Sequence, residues 1–157
     1  MIDGKMEFEF IPKKKFMLRA LELAEEAALI GEVPVGAVVM YKDEIIGQGF
    51  NKREMQKSAL AHAEIEAIQQ ACISLKSWRL KDCSIYVTLE PCPMCMGAIL
   101  NARISRVIFG ADDIAAGCCG TAYDFSQLEN FQFPEIYKGF MEENGKQLLK
   151  AFFENLR

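Results

Sequence analysis

Apolar residues recur at helical spacing from Phe16 through Ala20, Leu23, Ala24 and Ala27, while Arg19, Glu22, Glu25 and Glu26 take the opposite face. The pattern predicts an amphipathic helix closed by Gly31. The nearly unbroken apolar run Val33 to Met40 then reads as a strand buried on both faces. Tyr41 to Glu44 is a polar turn, and Ile45 to Phe50 is the returning strand of a hairpin. A polar loop, Lys52 to Lys57, leads to a second periodic segment marked by Ile65, Ile68 and Ala71. Ile85 to Leu89 is another strand, Met96, Ile99 and Leu100 lie on a helix opened by Pro93, and Arg106 to Phe109 is a further short strand. Gly110 to Asp113 and Gly117 to Gly120 are rich in turn formers. A closing helix carries Met141, Leu148, Leu149, Phe152, Phe153 and Leu156 on one stripe, most of it expected in the core. A hairpin followed by alternating helices and strands makes an α/β domain in three layers with a mixed sheet.

Composition narrows the class. A chain of 157 residues, 51% hydrophobic, suits one domain, expected over residues 16–157 behind a leader, residues 1–15, that lacks a clear period. Eighteen basic against 22 acidic residues give a net charge of −4, which argues against bulk electrostatic binding of a polyanion. Six cysteines without a signal-like apolar run fit a reducing, cytoplasmic setting. No apolar stretch approaches the roughly twenty residues needed to span a bilayer.

The chemistry concentrates where the strand ending at Leu89 meets Glu90-Pro91-Cys92-Pro93-Met94-Cys95. Pro93 suits the first position of a helix, so Cys92 falls at the N-cap with Cys95 one turn later on the same face. Positive charge at a helix N-terminus favours the thiolates that bind metal. The single histidine, His62, adds a third ligand, and two thiolates with one imidazole leave a zinc site open at its fourth position. Glu64 would stand beside that position as the proton carrier. Residues two apart on a regular helix point roughly 160° away from each other, so His62 and Glu64 can share a site only at a helix start. A lone Cys-x-x-Cys also serves redox pairs and structural zinc, but His-x-Glu with Pro-Cys-x-x-Cys is the pattern of zinc-dependent base deaminases. Cys72, Cys83, Cys118 and Cys119 read as structural. Asn51 offers either a turn-forming side chain or an amide for the edge of a base.

The sequence resembles the bacterial tRNA-specific adenosine deaminases of the cytidine-deaminase-like superfamily from about Phe16 to Leu156. Besides the two metal motifs, the resemblance rests on Glu32 to Val38, Asn51, Trp78-Arg79-Leu80, Thr88-Leu89-Glu90, Phe109-Gly110-Ala111 with Asp113, and Phe152-Phe153 with Leu156-Arg157. It implies a three-layer α/β/α fold with about five strands, one zinc per subunit, a homodimer, and conversion of the wobble adenosine of a tRNA anticodon stem-loop to inosine. It further implies Glu64 as the catalytic residue, His62, Cys92 and Cys95 as ligands, and Asn51, Val35, Ala63, Asp113 and Phe153 as substrate contacts. Basic residues serving the RNA are expected at Lys52, Arg53, Lys57 and Arg157.

Departures fall on the RNA side. Ala115 stands where the family often has lysine, and Phe131 and Gln132 stand where it has an Asn-His pair. A deaminase of guanine, cytosine or a free nucleoside is the alternative function, and a non-catalytic zinc-stabilised module is a third reading.

Overall fold

The computed structural model describes residues 9–156, and its architecture follows from strands whose alternate residues feed two separate cores. Helix α1 (Lys14–Leu29) precedes the hairpin β1 (Gly36–Tyr41) and β2 (Glu44–Phe50). Helix α2 (Ala63–Leu75), strand β3 (Ser84–Leu89), helix α3 (Pro93–Ala102) and strand β4 (Arg106–Ala111) follow. A 3₁₀ turn (Phe125–Gln127), strand β5 (Glu135–Tyr137) and helix α4 (Glu142–Asn155) complete the chain. The sheet order is β2-β1-β3-β4-β5. Its β2-β1-β3 half is antiparallel and its β3-β4-β5 half parallel. This is the mixed five-stranded α/β sheet expected.

On one face Ala37, Val39, Ile85, Val87, Val107 and Phe109 pack with residues of α2 and α3. On the other Val38, Met40, Tyr86 and Ile108 pack with Phe16, Met17, Ala20 and Leu23 of α1, with Leu148 of α4 at the margin. Period-two alternation thus produces the three layers. Two glycines let helix backbone lie directly on the sheet: a Cβ on Gly36 would stand 1.9 Å from the Ala20 carbonyl oxygen, and one on Gly47 2.1 Å from that of Ala67. The hairpin turn is Lys42-Asp43, both left-handed (φ 48° and 64°) as a two-residue type I′ turn requires. The ammonium groups of Lys13 and Lys15 both pair with Asp43.

Three expectations are corrected, and the fifth strand is located. The leader does not extend to residue 15: α1 begins at Lys14, the Lys13 amide donates to the Tyr86 hydroxyl at 3.0 Å, and Phe10 stacks on Tyr137 at 5.3 Å. Residues 1–8 lie outside the described residues. The run from Val33 joins the sheet only at Gly36, because Pro34 has no N–H to give a ladder and the Val35 amide turns back to the Val33 carbonyl at 2.9 Å. The short β5 has no apolar run of its own to announce it; it is defined by pairing with β4. The α4 stripe is mostly not core: Gly145 is its only buried residue, and Phe153 and Leu156 are 52% and 67% exposed. Among the described residues no helix is long and apolar enough to cross a membrane.

Candidate active site

Cys92 is the N-cap of α3, extended at φ −76° and ψ 174°, with Pro93 at the first helical position. One turn on, Cys95 is fully buried. His62 is likewise the N-cap of α2, at φ −82° and ψ 154°. Being outside the helix, it escapes the 3.6-residue periodicity that would turn it away from Glu64. Two helix starts therefore meet at the end of the sheet where the parallel strands β3 and β4 finish, the usual place for ligands in open α/β sheets.

The His62 Nδ1 lies 3.6 Å from Cys92 Sγ and 3.5 Å from Cys95 Sγ. A tetrahedral ion about 2.3 Å from sulfur and about 2.0–2.1 Å from nitrogen requires N···S separations of about 3.5 Å. The donor set therefore fits zinc in spacing and in ligand type. No other group of three His, Cys, Asp or Glu side chains among the described residues converges in this way. Cys118 and Cys119 are buried but outside the trio, Cys118 donating to the Ala116 carbonyl and Cys119 resting against the Met96 sulfur. Cys83 is also buried and Cys72 half-buried.

The three side chains share hydrogen bonds that link their charges. The Cys95 thiol donates to Cys92 and, with help from His62, holds the Cys92 thiol down at about 4. The same contact and burial push Cys95 well above the ordinary thiol range. His62 is raised, chiefly by its contact with Cys92. Burial pushes the Glu64 carboxyl up to about 7, so it can both accept and release a proton near neutrality.

A cavity of about 150 Å³ opens beside the trio, walled by Val33, Val35, Asn51, Arg53, His62, Ala63, Glu64, Leu89, Glu90, Cys92 and Asp113. A cavity of this order holds a single six-membered aromatic ring in another protein. Of the expected contacts, Asn51, Val35, Ala63 and Asp113 come together here. Phe153 does not: it sits half-exposed on α4, edge to face with Phe152 at 5.3 Å. Asn51 serves its own loop, its amide Nδ2 donating to the Val33 carbonyl at 3.3 Å and its Oδ1 accepting from the Arg53 amide at 3.2 Å. Each of those atoms retains one further hydrogen-bonding position for a base.

The expected basic patch also changes. Arg53 reaches the cavity, but the Lys52 ammonium is turned away, 2.5 Å from the Glu66 carboxylate and over the Phe50 ring. Arg157 lies outside the described residues.

Pattern reading overlooked two buried acids. Glu32 and Glu90 are each 2% exposed, and neither has a cationic partner among the described residues. Their signal was a carboxylate embedded in an apolar run, which is rarely buried unless something satisfies it.

Comparison with known proteins agrees with this geometry. The MafB19-like deaminase family matches residues 11–157. The tRNA-specific adenosine deaminase of Bacillus subtilis (strain 168) is 44% identical over 143 residues, covering 90% of this chain and 89% of the relative. Its counterpart in Haemophilus influenzae is 41% identical over 98% of this chain and 89% of its own length. A solved structure from a study of A-to-I editing by tRNA:A34 deaminases at the wobble position superposes with a TM-score of 0.84 at 36% identity, covering 87% of this chain and all of the other. The chain belongs to the tRNA-specific adenosine deaminases, a family with the cytidine-deaminase-like fold.

Proposed function

We propose that this protein hydrolyses the 6-amino group of the wobble adenosine in a tRNA anticodon, yielding inosine and ammonia. The observation that carries the reaction type is the His62-Cys92-Cys95 trio with the buried Glu64 on the wall of a ring-sized cavity. The relatives carry the substrate, since they are tRNA-specific adenosine deaminases over nearly their whole length.

In this reading His62, Cys92 and Cys95 hold one zinc. When bound, zinc supplies the Lewis acidity that makes water nucleophilic near neutral pH. Glu64 takes the proton from the attacking water and delivers it to N1 of adenine, then carries a second proton to the departing amine. The overall change adds one water to the base and releases one ammonia. Asn51 faces the edge of the base, Val35 and Ala63 form apolar walls, and burial around Glu64 excludes bulk water from its proton transfers. The adenosine reaches this depth only by leaving the anticodon stack, which a single-stranded loop permits at low cost. A homodimer in the cytoplasm is the setting this reading assigns.

The test is to incubate zinc-loaded protein separately with an adenosine-34 anticodon stem-loop, guanine and cytidine while following ammonia release. Turnover of the stem-loop alone supports the reading. Turnover of guanine or cytidine without the stem-loop would replace it with a small-base deaminase.

A further inference from the structure

The mechanism leaves Glu32 and Glu90 unused, although both are buried as deeply as any charged side chain among the described residues. Their oxygens accept backbone N–H groups from two different loops. Glu32 Oε1 takes the amides of Glu54 at 2.9 Å and Met55 at 3.3 Å, and its Oε2 shares the Glu54 amide at 3.2 Å. Glu90 Oε1 takes the amide of Asp113 at 3.2 Å, and Oε2 those of Cys119 at 2.9 Å and Thr121 at 3.3 Å. The first loop carries Asn51 and Arg53 to the cavity, and the second carries Asp113.

Building on the proposed function, we infer that Glu32 and Glu90 are positioning residues that clamp the two substrate-recognising loops at fixed distances from the metal trio. Each begins from a rigid part of the fold. Glu90 directly follows β3 and lies two residues before Cys92, so one strand end fixes both a metal ligand and the Asp113 loop. Glu32 follows α1, which is locked to β1 at Gly36. The Glu90 contact is so close that a Cβ on Gly117 would stand 2.4 Å from its carboxyl carbon.

The two clamps differ in their tolerance of an amide. Both Glu90 oxygens hold separate sets of donors, so a glutamine must oppose an NH₂ group to at least one backbone N–H. Glu32 holds both of its donors through Oε1, so a glutamine that keeps its oxygen there loses only the longer, shared contact of Oε2 with the Glu54 amide. Glu90→Gln is therefore the more damaging change. Losing loop position removes binding shared by ground and transition states, which raises KM more than it lowers kcat.

The experiment uses full-length zinc-loaded protein and two readouts. By NMR, amide exchange at Asp113, Cys119 and Thr121 should accelerate in Glu90→Gln while Glu54 and Met55 keep wild-type rates, and Glu32→Gln should show a weaker, reciprocal pattern. On the anticodon stem-loop, Glu90→Gln should raise KM by roughly ten- to a hundredfold, the scale of a small misplacement, with zinc content unchanged. Gly117→Ala displaces the loop while leaving the carboxylate intact, and should reproduce the exchange and KM changes even if Glu90→Gln fails to fold. Wild-type exchange at the three amides, or wild-type KM in a folded variant whose exchange has changed, overturns the inference. If the wild type does not deaminate the stem-loop, the proposed substrate falls, and the exchange rates still decide whether the clamps exist.

Discussion

His62 Nδ1 stands 3.5 Å from Cys95 Sγ across 33 residues of sequence, because the helices they introduce start side by side at one end of the sheet. α2 packs on β2 and α3 shares its core, so the packing of the fold is what sets these side chains together.

Zinc content should report this directly. His62→Ala, Cys92→Ser and Cys95→Ser each remove one of three protein ligands, and elemental analysis should find the metal lost from each. Full occupancy in Cys95→Ser would show that another cysteine is the ligand.

Glu64→Gln should keep its zinc and its fold but lose about 10²- to 10⁴-fold in kcat, the usual contribution of a general acid-base group. Single-turnover measurements with the stem-loop separate this from weakened binding. Near-wild-type kcat would sink the proposed proton carrier.

Asn51→Asp replaces the donor facing the Val33 carbonyl with an oxygen, so two acceptors meet where a hydrogen bond stood. The substitution should both lower the melting temperature and reduce kcat/KM, by about 1–3 kcal/mol in stability for a strained polar contact. A thermal melt and one kinetic series check it; unchanged values in both would mean the amide serves neither loop nor base.

Arg53 and Lys52 should behave oppositely although adjacent. Arg53→Ala is expected to flatten the salt dependence of stem-loop binding by about 0.7 in log–log slope, one single-strand phosphate contact. Lys52→Ala should leave that slope unchanged, since its ammonium already faces Glu66. Equal effects would place both cations on the RNA.

Three glycines give a stability test with opposite signs. Gly36→Ala and Gly47→Ala force a methyl into helix backbone and should cost at least the roughly 1–3 kcal/mol of an overpacked core. At about 2–4 °C of Tm per kcal/mol for this size, calorimetry resolves the loss. Gly97→Ala, inside α3 with nothing within 4 Å of its added Cβ, should instead raise Tm, since alanine gains about 0.8–1.0 kcal/mol over glycine in a helix.

The sequence by itself determined the elements and the chemistry. Buried strands, amphipathic α1 and the Cys92-Pro93 helix start are local patterns, and together with the single histidine they pointed to the layers, the start of α3 and the three side chains that converge. Only the tertiary structure decided what depends on distant partners. The exposure of Phe153 follows from how little of α4 touches the sheet, and β5 exists through its pairing with β4. The pairing of Lys52 with Glu66 and the clamping of two loops by Glu32 and Glu90 are likewise set by three-dimensional proximity. Such contacts join residues far apart in the chain, and no local period or propensity encodes which donor a buried carboxylate will meet.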